Sequence, residues 1–192
     1  GSSWSQIGTS NHVDHHDLQF EPGNANVVYN TNDGGIYKST DAGATWGNIS
    51  IGIDIKQYYK LGASALTYNY LYAGAQDNGT DRWKANAWAH VGCCDGMDCV
   101  MDYTNDNIAY IGSQNGGFYK TTNGGNSFST IALPEAGAWT TPVIIDPLVH
   151  TTLYVGLTDV YKSTTSGTNW FQLSFGLFGS STITNLAISP TD

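Results

Sequence analysis

Short apolar runs alternate along the whole chain with clusters of Gly, Asn, Asp, Ser and Thr. Within Asp17-Leu18-Gln19-Phe20-Glu21 the apolar positions recur at every second residue, and Ile36-Tyr37-Lys38-Ser39 mixes apolar and polar residues over a similar length. A period of two predicts half-buried strands. The intervening clusters, such as Asn32-Asp33-Gly34-Gly35, predict tight turns, because these residues tolerate positive φ. Residues 17–22, 60–65, 99–103, 143–147 and 186–190 read as first strands, ending in polar residues and often Pro. A second, tyrosine-marked strand follows four of them: Val27-Val28-Tyr29, Tyr70-Leu71-Tyr72, Ile108-Ala109-Tyr110 and Leu153-Tyr154-Val155.

The pattern repeats. Residues 29–46 are echoed in 117–128 and 159–170. Tyr37, Tyr119 and Tyr161 lie 82 and 42 positions apart, and Trp46, Phe128 and Trp170 keep those spacings. The unit is therefore 41–42 residues, with one degenerate copy between the first two, where Trp88 replaces Trp46. Such a repeat predicts an all-β fold: a β-propeller, or a propeller fragment, of four-stranded antiparallel blades. The blades are expected at about 12–55, 56–94, 95–138 and 139–181, with partial blades at both ends. Trp4-Ser5-Gln6-Ile7 reads as an outer strand of an upstream blade, and residues 186–190 open a fifth. Four repeats are fewer than most such rings hold, so the chain is expected to be part of a longer one. A five-bladed closure using residues 1–6 is the second arrangement. The repeated aromatics, Tyr37, Trp46, Tyr119, Phe128, Tyr161 and Trp170, read as packing between blades.

Charge narrows the partners. Net charge is -9, with seven Lys plus Arg among 192 residues, which argues against nucleic acid and against an anionic membrane surface. No run of 18 apolar residues occurs, so no membrane insertion is predicted. The low charge suits an extracellular or cell-surface protein. There, Cys93, Cys94 and Cys99 predict one local disulfide, Cys94–Cys99 or Cys93–Cys99, with a vicinal Cys93–Cys94 bond and a zinc site including His90 as alternatives. Asn48-Ile49-Ser50 and Asn78-Gly79-Thr80 are glycosylation sequons.

Ser39-Thr40-Asp41-Ala42-Gly43-Ala44-Thr45-Trp46 fits Ser-x-Asp-x-Gly-x-Thr-Trp. This resembles the Asp-box (BNR repeat) of sialidase-like, sortilin-like and xyloglucan-degrading propellers. The resemblance implies an outer hairpin turn, away from any active site, in which Asp41 and Ser39 bond the turn backbone. His12 to Leu18, Asp33-Gly34-Gly35, Ala75-Gln76-Asp77-Asn78-Gly79, Asp95-Gly96-Met97 and residues 113–117 are similar to segments of large bacterial surface and secreted proteins with sortilin-like propellers. Many of those use type IX secretion, so that route is implied here too. The resemblance also tests two activities. Xyloglucan-degrading propellers carry a catalytic Asp in Thr-Asp-x-Gly-Gly; here Asn32 takes that place and Asp33 is one residue off, which leaves Asp33 as the catalytic candidate. A sialidase arginine triad is missing, since Arg82 is the sole arginine.

Repeat register locates a binding surface independently. Positions preceding each first strand should ring one mouth of the propeller, where loops converge. These are His12, Asp14, His15, His16, Gln57, Asp95 and Trp139, the expected ligand-binding residues. His15, His16 and Asp14 could also hold a divalent metal, although strand neighbours face opposite ways; no other cofactor is implied. The expected function is a non-catalytic module binding protein or glycan through the mouth. A xyloglucanase-like glycoside hydrolase and a structural scaffold of an extracellular assembly are the alternatives.

Overall fold

The computed structural model describes residues 2–53 and 56–190. The expected limits at residues 1, 55 and 192 lie outside them. Sixteen strands among these residues form four separate four-stranded antiparallel sheets, each a meander in chain order. The first blade holds β1 (His15–Glu21), β2 (Asn24–Asn32), β3 (Gly35–Ser39) and β4 (Gly47–Asn48). The second holds β5 (Tyr58–Ala63), β6 (Leu71–Ala75), β7 (Gly79–Lys84) and β8 (Ala87–Gly92). The third comprises β9 (Gly96–Met101), β10 (Ala109–Ser113), β11 (Gly117–Thr121) and β12 (Ser129–Thr130). The fourth comprises β13 (Val143–Ile145), β14 (Leu153–Gly156), β15 (Val160–Ser163) and β16 (Phe171–Gln172). Contacts divide the chain into two compact units, Gly1–Lys56 with the first blade and Gln57–Asp192 with the other three.

Two expected strands do not form. Residues 4–7 and 186–190 carry no ladder. A strand exists only through its hydrogen-bonded neighbour, and neither segment has one.

The three blades of the second unit are held by two apolar seams. Tyr70 and Tyr72 of the second blade pack on Cys99, Met101, Ala109 and Ile111 of the third, with Tyr119 and Phe128 at the margin. Tyr110 and Phe118 pack on Val143, Leu153, Val155 and Leu157, with Tyr161 and Trp170 at the margin. The repeated aromatics of these blades are thus inter-blade packing. Small residues bring the inner strands together: a Cβ on Gly62 would stand 2.4 Å from the Cys99 carbonyl oxygen, and one on Gly74 2.1 Å from that of Met97.

The seams explain why no Cys94–Cys99 disulfide exists. All three cysteines are free. Met97, Cys99 and Met101 alternate on β9, which sends the Cys99 side chain into the core while Cys94 stays at the exposed turn. Burial pushes the Cys99 thiol well above its ordinary pKa. A zinc set of His90, Cys93, Cys94 and Cys99 does not converge either.

One turn recurs in three blades. In the first, Ser39 Oγ donates to Asp41 Oδ1 (2.8 Å) and accepts from Gly43 N (2.8 Å), while Asp41 Oδ1 accepts from Thr45 N (2.8 Å). In the third, Thr121 and Asn123 make the same set: Gly125 N to Thr121 Oγ1 is 2.9 Å and Ser127 N to Asn123 Oδ1 is 3.0 Å. In the fourth, Gly167 N to Ser163 Oγ is 2.9 Å and Asn169 N to Thr165 Oγ1 is 3.0 Å. Asp, Asn and Thr are interchangeable here because the position needs only an acceptor oxygen at this reach. Asp41 alone carries charge. Its bonds from Thr45 and Ser39 hold its pKa down to about 2.

Candidate functional site

In the second unit the sequence-predicted residues Gln57, Asp95 and Trp139 come together, one from each blade, through a circuit of hydrogen bonds. Gln76 N donates to the Gln57 carbonyl (2.8 Å). The next residue, Asp77, donates its N–H to Asp95 Oδ1 (2.9 Å), and Asp95 N donates to Gln114 Oε1 (3.2 Å). Asn115, in left-handed backbone at φ 59°, donates to the Trp139 carbonyl (3.3 Å). The indole of Trp139 closes the circuit on Tyr59 Oη at 3.5 Å, two residues from Gln57. The chain folds this way because each blade places its residue just before its first strand, at one end of the meander.

Within this rim the roles differ. Asp95 is buried, and its carboxylate is taken up by Asp77 N, so it fixes the loop. Gln57 presents an exposed side chain, and Trp139 is 50% exposed. An exposed indole beside a tyrosine hydroxyl and an amide is chemistry for a ligand with an apolar face and polar edges.

The sequence reading missed Tyr59, Gln114 and Asp98. Nothing in the sequence marks Asp98. That carboxyl lies on β9, accepts from Val143 N (3.2 Å) and Cys99 N (3.0 Å), and is raised in pKa by burial, which outweighs those bonds and nearby Lys60.

The other predicted residues belong to the first unit. His15 and His16 start β1 itself rather than a loop, at a point where the pairing with β2 slips register between His15 and Asp17. His15 Nδ1 contacts Asn30 Oδ1 at 2.9 Å, and Asn30 Oδ1 also accepts from Asn32 Nδ2 (2.9 Å). Since that amide oxygen only accepts, His15 donates through Nδ1. His16 Nε2 is hydrogen-bonded to Asp33, whose carboxylate lies within 4.8 Å of Asp14. His12 contacts its neighbour's carbonyl, Val13 O, at 3.1 Å and rests on Gly34, where a Cβ would come within 2.4 Å of it. No three of His12, Asp14, His15, His16 and Asp17 bring ligand atoms together. A cavity of about 400 Å³ is bordered by His15, His16 and Asp17 together, with Asn11, Asn30 and Trp46. Asn32 is buried and its Oδ1 accepts from Gly34 N at 2.9 Å, so it shapes the turn.

No family model matches the chain, and no curated protein does. Solved structures do. An ancestral GH74 enzyme is 23% identical, with 84% of this chain covered and a TM-score of 0.54. The GH74 enzyme of Niastella koreensis is 26% identical, with 82% covered and a TM-score of 0.52. YCF48 from Cyanidioschyzon merolae is 13% identical over 88% of this chain and 58% of its own, with a TM-score of 0.44. The chain spans 24% of each of the two GH74 chains. Four four-stranded antiparallel meanders, strung at a fixed repeat and matching GH74 enzymes in shape, are blades of the β-propeller fold.

Proposed function

We propose that this chain is part of an extracellular or cell-surface propeller that binds a ligand, without catalysis, at the rim of Gln57, Asp95 and Trp139. The observation that supports it is the hydrogen-bonded circuit holding an exposed Trp139 against Tyr59. Neutral glycan suits this surface better than a charged protein partner, because indole and tyrosine stack on sugar faces while amides meet hydroxyls. Titration calorimetry with a panel of neutral oligosaccharides checks this. Trp139→Ala should weaken binding by about tenfold or more, which corresponds to ~1.4 kcal/mol. Binding that survives both Trp139→Ala and Tyr59→Phe unchanged would remove the rim from consideration.

A second reading, a glycoside hydrolase, is favoured by the 26% identity to the Niastella koreensis GH74 enzyme. Such chemistry needs two carboxyl groups flanking the scissile bond, about 5–9.5 Å apart. Asp14 and Asp33 lie closer than that. Sugar released from polysaccharides and abolished in Asp33→Ala would establish this reading and displace the first. The sortilin-like identity and type IX export rest on sequence resemblance; locating the native protein in cell fractions tests the export.

A further inference from the structure

The seam between the second and third blades is filled less completely than the next one, and strand register shows where. In the third blade Phe118 lies opposite Gly112 on β10, and Ile131 N donates to the Phe118 carbonyl (2.8 Å). Phe118 and Ile131 fill the seam with the fourth blade, in one apolar cluster with Val155, Tyr161 and Trp170. The same places in the second blade belong to Thr80, opposite Gly74 on β6, and to Gly92, opposite Thr80 on β8. A ring and a branched side chain are thus replaced by a threonine and a glycine. The facing wall is kept. Ile111 opposite Tyr119 matches Val155 opposite Tyr161, and Phe128 matches Trp170. What is left is a cavity of about 270 Å³, lined by Thr80, Gly92, Ile111, Tyr119 and Phe128. Thr80 and Ile111 are buried, while Cys93 and Thr130, also in its lining, are exposed, so it opens to solvent past them.

We propose that this cavity binds a small neutral aromatic molecule with one hydroxyl, of the phenol class, its ring taking the place that Phe118 takes one seam further on. The volume suffices, since an apolar cavity of about 150 Å³ accepts benzene. Lining atoms that face a void forgo dispersion contacts, and an occupant restores them. The rings of Tyr119 and Phe128 favour an aromatic occupant through edge and face contacts. Thr80, Ser113 and Thr130 add hydroxyls to the lining, enough for one polar group. The described lining holds no Lys, Arg, His, Asp or Glu, so a charged ligand would lose its hydration without gaining a counter-charge. Gln57, Asp95 and Trp139 take no part, so the site is independent of the rim.

Phenol is the probe. Calorimetry should show one equivalent bound. Cys93 locates it: in a Cys94→Ser protein Cys93 is the exposed thiol and Cys99 is buried, so saturating phenol should slow alkylation by iodoacetamide several-fold. Gly92→Ile supplies the side chain found at this place in the third blade and should abolish both effects. A Cβ on Gly92 comes within 3.1 Å of Ile111 Cδ1 and Thr80 Cβ, so a thermal melt at or above the parent's is the check that the variant folds. The Cys93 measurement decides the question without it. No phenol bound, or phenol bound with the Cys93 rate unchanged, would overturn the site. Equal binding by a folded Gly92→Ile protein would do the same. Cyclohexanol should bind about three- to tenfold more weakly, because it lacks the ring contacts; equal binding would overturn the aromatic class.

Discussion

The second and third blades solve the same problem with different devices. Between its third and fourth strands the third blade has the seven residues 122–128 and then a two-residue outer strand. The second blade has only Ala85-Asn86, both at positive φ (52° and 61°), and then a six-residue outer strand. Such a pair is the two-residue hairpin whose twist matches its strands. Both sheets form, so the long turn is not needed to close a blade. Its position shows what it does instead. Tyr70 Oη donates to the Gly124 carbonyl (3.2 Å), and Arg82 donates to the same oxygen. Gly124 and Gly125, at φ 69° and 82°, let the turn lie on Tyr70 and Tyr72. In the fourth blade Gly167 lies likewise against Ile131 of the third. The long turn is a clasp on the preceding blade. The second blade receives a clasp and offers none, and its outer strand carries an aromatic group instead: Trp88 stacks with Tyr58 at 6.1 Å and Trp83 at 5.2 Å.

If this contrast is right, changes at the receiving surface outweigh changes at the degenerate hairpin. Tyr72→Ala removes a fully buried ring from the clasped seam. It should cost about 3–5 kcal/mol in urea unfolding, whereas Trp88→Ala, 53% exposed, should cost well under half of that. Equal losses would break the comparison. Arg82→Met removes the charged donor to Gly124 and should cost about 1.5–3 kcal/mol. A Gly124→Ala variant should lose stability in the parent, because a Cβ there meets Lys84 and Tyr70 in a strained backbone. At the hairpin the sign reverses: replacing Ala85-Asn86 by Asn-Gly should stabilise by about 0.5–1 kcal/mol, since Ala at φ 52° is strained. The smallest effect is expected at Asp41→Asn. Asn123 makes equivalent bonds in the third blade, so stability at neutral pH should hardly change. Acid unfolding should reveal the difference. Asp41 is depressed from 3.8 to about 2, so its contribution is present above pH 4 and fades as pH falls towards 2. The variant should lack that share of the acid slope.

Much of this was legible because alternation and spacing are local. Tyr29, Tyr110 and Tyr154 announced their strands, and the missing Asp-Ala-Gly turn announced the odd blade. Repeat register also led to Gln57, Asp95 and Trp139, which one hydrogen-bonded circuit links across three blades. What failed was whatever depends on which face of a strand meets a neighbour. The cysteine spacing invited a bridge, yet Met97, Cys99 and Met101 share one face, and only the seam made that face the core. His15 and His16 read as possible ligands, yet each is taken up by its own partner, Asn30 and Asp33, and that pairing has no mark in the spacing. Asp98 had no signal, because its burial comes from blades distant in sequence.

One regularity joins all four blades. Lys38, Lys84, Lys120 and Lys162 lie over Tyr29, Tyr70, Tyr110 and Tyr154, at 4.3 to 5.5 Å from the ring centres. Each ammonium is drawn to the negative face of its ring. With Arg82 bound to Gly124, five of the seven basic residues are engaged in this way within or between blades. A protease that cuts after lysine or arginine therefore meets few of its sites as loose chain. To reach those five it must lift a side chain from its partner and pull a strand away from its neighbours, so trypsin should cut at them only as fast as the blades open.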